Sequence, residues 1–143
     1  MTTVAHILNS KPEHTVYTIT PTASVFEAVK LMADKSIGAL VVLEGGKVVG
    51  IITERDYARK IVLVARSSKE TAVRDIMTTS VMYVSPEQTS EDCMVLMTEH
   101  RVRHFPVMDQ GKLVGLISIG DLVKDIISEQ KFVIQQLEQY ITR

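Results

Sequence analysis

Short apolar runs alternate with polar stretches along the chain in an order that repeats. The first extended run, Val16 to Thr20, closes at Pro21, whose ring biases the preceding residue away from helix. Ser24 opens "SVFE", a hydroxyl followed three residues later by Glu27, which is the signature of a capped helix start. Beyond it Val25, Ala28, Val29 and Met32 fall on one helical face. Two runs rich in β-branched residues follow, "ALVVL" and "KVVGII". They are joined by Gly45-Gly46, a pair suited to the positive φ angles of a tight hairpin turn. Another helix is expected to begin near Asp56.

The same pattern returns 65 positions later. Val16 to Val62 aligns with Val81 to Ile127 without a gap, and Pro21/Pro86, Met32/Met97, Val42/Val107, Gly46/Gly111, Gly50/Gly115 and Asp56/Asp121 are identical. Copy two keeps the helical face as Cys93, Met94 and Met97. Its strands "FPVMD" and "KLVGLI" flank Gln110-Gly111, and Pro106 requires an edge or an unpaired amide. A copy of about 50 residues buries too little surface to be comfortably stable alone. The expected fold is therefore α/β (α+β), two β-α-β-β-α repeats packed with pseudo-twofold symmetry. The expected boundaries are 8–66 for repeat one, 67–75 for a linker entered through the polar "RSSKET", 76–132 for repeat two and 133–143 for a helical extension. In that extension Val133, Ile134, Leu137 and Ile141 continue a helical spacing from Ile126 and Ile127. It reads either as a helix packed back on its own core or as a dimer seam or partner-docking face.

Composition narrows the classes. The chain has 143 residues, 45% of them hydrophobic, enough for a real core. No apolar run approaches the roughly 20 residues of a membrane span, and the N-terminus lacks the basic and apolar regions of a secretory signal, so a cytoplasmic protein is expected. Sixteen basic against seventeen acidic residues give a net charge of −1, which argues against nucleic acid as a partner even with the short basic stretch "HRVRHF". The single Cys93 excludes an internal disulfide and reads as a buried apolar residue. His100 and His104 have an i, i+4 spacing but straddle a helix-to-strand turn, so no metal site is expected. No nucleophile–base set, Walker loop or dinucleotide fingerprint is present, so catalysis is not expected.

The two repeat endings, "GIITERD" at Gly50 to Asp56 and "GLISIGD" at Gly115 to Asp121, carry the candidate chemistry. Thr53-x-x-Asp56 and Ser118-x-x-Asp121 fit a capping box, which alone accounts for them. The same geometry also suits a ligand: a helix start with a hydroxyl and free amides attracts phosphate, and the carboxylate one turn in can accept two hydrogen bonds from a ribose diol. The preceding glycine would let that ligand approach the backbone.

Repeated β-α-β-β-α units ending in "VVGIITERD" and "LVGLISIGD", with "HRVRHFPVMD" entering a strand, resemble a tandem pair of CBS domains, a Bateman module, over almost the whole chain. The resemblance implies binding of AMP, ADP, ATP, NAD or S-adenosylmethionine in clefts between the copies. It implies one cleft combining Thr18 and Thr20 with Arg103, His104, Ser118 and Asp121. The other would combine Tyr83 and Ser85 with Gly38, Ala39, Thr53 and Asp56. The aspartates would hold ribose, Thr53 or Ser118 would lie near phosphate, and Ile37, Ile52, Val102 and Ile117 would flank adenine. Arg103 and His104 stand where copy one has Gly38 and Ala39, so a phosphate-bearing ligand is expected to prefer the first cleft. The expectation is a stand-alone regulatory module, homodimeric, that senses an adenine nucleotide and signals to an unidentified effector protein. The alternative is a ligand-free interaction or dimerisation scaffold on the same fold.

Overall fold

The computed structural model describes residues 2–142. In chain order the elements are α1 (Val4–Ser10), β1 (Thr18–Ile19), α2 (Val25–Lys35), β2 (Ala39–Glu44), β3 (Lys47–Thr53), α3 (Glu54–Tyr57), α4 (Ser90–His100), β4 (His104–Asp109), β5 (Lys112–Ser118) and α5 (Ile119–Thr142). They form two compact bodies. One comprises Thr15–Met82; the other comprises the described residues up to His14 together with those from Tyr83 onward.

In the first body β1 runs parallel to β2, with Thr18 opposite Val41, and β2 runs antiparallel to β3. Gly45 and Gly46 turn the hairpin with φ of 57° and 80°, as their sequence requires. Ser24 caps α2, its hydroxyl accepting from the Glu27 amide at 3.1 Å, and the helix buries Val25, Ala28 and Met32. α3 passes into a wider π-helical turn over Ala58–Val62, where the Leu63 amide reaches back to the Ala58 carbonyl. The stretch 67–75 is bonded to the start of α2: the Val25 amide donates to the Thr71 carbonyl at 2.9 Å and the Val73 amide to the Ala23 carbonyl at 2.8 Å. Val73 and Ile76 then join Leu40, Val42, Ile52 and Ile61 in the core.

The second body repeats this plan. Gln110 and Gly111 turn the β4–β5 hairpin at φ of 51° and 79°, and each hairpin carries an irregularity at the equivalent place, Val42/Leu43 and Val107/Met108. Thr89 and Asp92 form a reciprocal capping box on α4, which buries Cys93 and Met97. Of the extended run Val81 to Ser85 only Val84 pairs, through a bridge to Val107. That bridge takes the Pro106 carbonyl and the Met108 amide, so the proline's missing N–H faces the side of β4 where little else pairs.

A second duplication lies under the first. "VAHIL" at Val4 to Leu8 corresponds to "VRDIM" at Val73 to Met77, 69 positions on rather than 65, and the four-residue difference hides it from an ungapped comparison. Each of these lead-in segments packs on the repeat that does not follow it. Val4 and Ile7 are buried in the second body, where the Val4 amide donates to the Gln88 carbonyl at 2.8 Å. Val73 and Ile76 are buried in the first. A division of the chain at 8–66, 67–75 and 76–132 therefore cuts across both bodies, and the 133–143 extension is the unbroken continuation of α5.

Candidate functional site

Each body presents one hydroxyl–carboxylate pair where its hairpin enters a helix. In the first, Thr53 and Asp56 form a complete capping box. The Thr53 amide and hydroxyl both donate to Asp56 Oδ2, at 3.0 and 3.1 Å, and the Asp56 amide donates to the Thr53 hydroxyl at 3.1 Å. Asp56 Oδ1 is taken as well, by Lys60 Nζ at 3.0 Å and the Thr78 hydroxyl at 3.3 Å. The carboxylate is 7% exposed. Lys60 also donates to the Ile76 carbonyl at 2.8 Å, which ties the lead-in segment to the helix start.

In the second body the Ser118 amide donates to Asp121 Oδ2 at 2.9 Å and the Asp121 amide to the Ser118 hydroxyl at 3.2 Å. The cation here is Lys11, from the lead-in segment, at 3.0 Å from the same Oδ2, and its Nζ also donates to the Leu116 carbonyl at 3.2 Å. The reason is visible in the sequence. The residue one turn after Asp121 is Asp125, where the first body has Lys60, so the position equivalent to Lys60 offers no cation. Asp125 Oδ2 is buried without a hydrogen-bond partner among the described residues.

β4 brings Arg103 and His104 to this place. His104 lies opposite Ser118 in the hairpin, and the Ile119 amide donates to the Arg103 carbonyl at 2.9 Å. Burial pushes the His104 imidazole below its ordinary value of 6.5; Asp121 opposes the shift, and Arg103 and Lys11 reinforce it. At neutral pH His104 is therefore an uncharged ring beside two permanent cations. In the first body the corresponding backbone belongs to Gly38, whose carbonyl accepts from the Glu54 amide at 3.1 Å, and to Ala39, opposite Thr53.

The expected residues thus assemble as two half-sets: Arg103, His104, Ser118 and Asp121 in one body, and Gly38, Ala39, Thr53 and Asp56 in the other. Thr18 pairs within β1 of the first body, and Thr20 is exposed with its hydroxyl 3.4 Å from that of Thr22. Tyr83 in the second body is exposed, and the Ser85 amide donates to the Gln88 side chain at 2.8 Å.

Three sequence expectations are corrected. Gly50 and Gly115 make room for the chain itself: a Cβ at Gly50 would lie 2.7 Å from the Met77 sulfur, and one at Gly115 would lie 2.7 Å from a Leu8 methyl. Ile52 and Ile117, expected beside adenine, have no exposed surface, because strand alternation turns them into the cores. Ala39 is likewise a core residue at 1% exposure. Sequence reasoning missed Lys11 and Thr78, which follow lead-in segments that only a gapped self-comparison reveals, and Lys60, whose i, i+4 spacing from Asp56 is a local signal that could have found it. Among the described residues no three His, Cys, Asp or Glu side chains cluster as a metal site, and no helix is long and apolar enough to cross a membrane.

Comparison with known proteins agrees with the repeated fold. The family model for the CBS domain matches residues 4–63 and 73–128, so both matches begin at the lead-in segments. The mitochondrial CBS domain-containing protein CBSX3 of Arabidopsis thaliana is 40% identical over 98% of this chain and 72% of its own length. A solved structure of a candidate signal-transduction protein with CBS domains from Burkholderia ambifaria is 60% identical, covers 90% of this chain and 96% of that one, and superimposes with a TM-score of 0.87. A CBS-domain protein from Agrobacterium tumefaciens is 38% identical over 87% of this chain and 98% of its own, with a TM-score of 0.82. Tandem proteins of this kind are in general regulatory, ligand-binding modules. With the same domain matched twice, once on each repeat, the chain belongs to the CBS-domain family as a tandem pair.

Proposed function

We propose that this protein is a homodimeric regulatory module that binds an adenine nucleotide, with AMP as the parent ligand and ADP, ATP or NAD as elaborations of it, and passes the bound state to an effector protein. One observation carries the reading. The two repeat carboxylates are bonded unequally: both oxygens of Asp56 are taken, whereas the bonds at Asp121 fall on Oδ2. In this reading Asp121 Oδ1 accepts a ribose hydroxyl while Oδ2 keeps the helix capped. Lys11 beside it and Arg103 next to His104 supply positive charge for a phosphate, and the half-buried His104 ring supplies a neutral donor. Gly38, Thr53 and Asp56 of the first body are assigned to a second, weaker site.

A mononucleotide of about 23 heavy atoms, at roughly 0.3 kcal/mol per atom, binds with about −7 kcal/mol, a Kd on the order of 10 μM. Signalling requires that the ligand favour one conformation over another by its differential affinity. Calorimetric titration with AMP, ATP, NAD and S-adenosylmethionine tests the reading. Asp121→Asn and Arg103→Ala each weaken AMP by at least about tenfold, and Asp56→Asn by less. Because a phosphate dianion raises the depressed His104 pKa, binding takes up protons and tightens as pH falls from 7.5 towards 6. No heat with any adenylate, or an Asp121→Asn chain that binds like the parent, leaves a scaffold with the same fold.

A further inference from the structure

α5 is 24 residues long, and only its first half is covered. α1 lies against that half, where the Thr2 hydroxyl meets Glu129 at 3.2 Å, and Leu122 is buried beneath it. From Lys131 onward every described residue is exposed. That exposed half is not polar: Phe132, Val133, Ile134, Leu137, Tyr140 and Ile141 are between 53% and 78% exposed. Ile127, Ile134 and Ile141 recur every seven residues, and Leu137 sits three beyond Ile134, the a and d spacing of a coiled-coil seam.

We propose that residues 127–141 of α5 pair with the same segment of a second copy, antiparallel, as a short two-helix coiled coil. The positions flanking the seam select both partner and direction. On one side stand Val133 and Tyr140, both apolar; on the other stand Lys131 and Glu138, of opposite sign. A parallel pair sets each apolar flank against the charged flank of its neighbour. An antiparallel pair sets like flanks together: Val133 meets Tyr140 twice, and Lys131 meets Glu138 twice, with Ile134 packed on Leu137 and Gln130 level with Ile141. The contact is isologous and closes as a dimer. A free peptide of this length would be a marginal helix, but these turns continue a helix already nucleated in the folded body, so little of the nucleation cost remains.

The proposal rests on the homodimer part of the reading above and not on nucleotide binding, so it is measured in nucleotide-free protein. Light scattering on the full chain gives a dimer. Leu137→Asp gives monomers whose melting stays cooperative, because the residue is exposed in its own chain and not part of its core. Lys131→Glu and Glu138→Lys each weaken the dimer by about tenfold, and the double exchange restores it. For direction, an equimolar mixture of Gln130→Cys and Ile141→Cys chains oxidises to a linked dimer, while each chain alone does not. Cys93 stays out of this reaction, being buried with its thiol pushed up to about 11. A parent chain that is monomeric, or an Ile141→Cys chain that links to itself, overturns the proposal. A dimer indifferent to Leu137→Asp and to both charge reversals also overturns it, while leaving homodimerisation standing elsewhere on the molecule.

Discussion

At the level of single residues, the two repeat glycines are the sharpest test of what the repeat ending is for. A methyl at Gly50 would meet the Thr78 backbone oxygen at 2.9 Å as well as the Met77 sulfur, whereas at Gly115 only the branched end of Leu8 is in the way. Backbone cannot rotate aside and a leucine tip can. Gly50→Ala is therefore expected to cost about 1–3 kcal/mol in urea unfolding, and Gly115→Ala less, with no direct effect at a nucleotide. The sequence showed that these positions are glycine in both copies, but not what approaches them, since Leu8 and Met77 lie outside the ungapped repeat. By contrast the turn pairs Gly45-Gly46 and Gln110-Gly111 were legible in full, because a two-residue hairpin sets its own backbone requirement locally.

Among the elements, the two helix starts are alike in their caps and unlike in their cations. Ser24, Thr53, Thr89 and Ser118 all accept from the amide three residues on, as their sequence pattern dictates. The lysines differ in origin: Lys60 follows the local i, i+4 spacing from Asp56, whereas Lys11 comes from a segment 110 residues away from Asp121 and follows from no local pattern. Lys11→Met is expected to lower stability by about 1 kcal/mol, the pair being only partly exposed. Asp125→Lys should place a lysine one turn after Asp121, as Lys60 follows Asp56, and at the same time remove a buried unpaired carboxylate oxygen. In that background the loss from Lys11→Met should shrink by more than half; a double-mutant cycle showing strict additivity would count against the exchange of roles.

For the molecule as a whole, the repeats visible in the sequence and the bodies that fold are different sets of residues. The β-α-β-β-α order could be read from periodicity and turns; the reassignment of the lead-in segments could not, because Val4, Ile7, Val73 and Ile76 are too few to mark a strand or long helix and their partners are remote. Removing residues 1–11 should cost the second body the burial of Val4 and Ile7, about 3–6 kcal/mol together. Urea unfolding followed by hydrogen exchange should then show protection lost from β4, β5 and α5 before β2 and β3. Equal loss in both bodies would be the contrary result. For the same reason, separate expression of 1–72 and 73–143 would give each fragment a lead-in that it does not use.

The placement of the first eleven residues also sets an order of events in the cell. Everything in the body built on Thr15–Met82 has left the ribosome while α1 still has nowhere to dock, since Lys11 must wait for Leu116, 105 residues further on. At about 5–20 residues per second that wait lasts roughly 5–20 s. During it the apolar face of Val4 and Ile7 is bare, so the nascent chain offers chaperones a handle there that vanishes once β5 emerges.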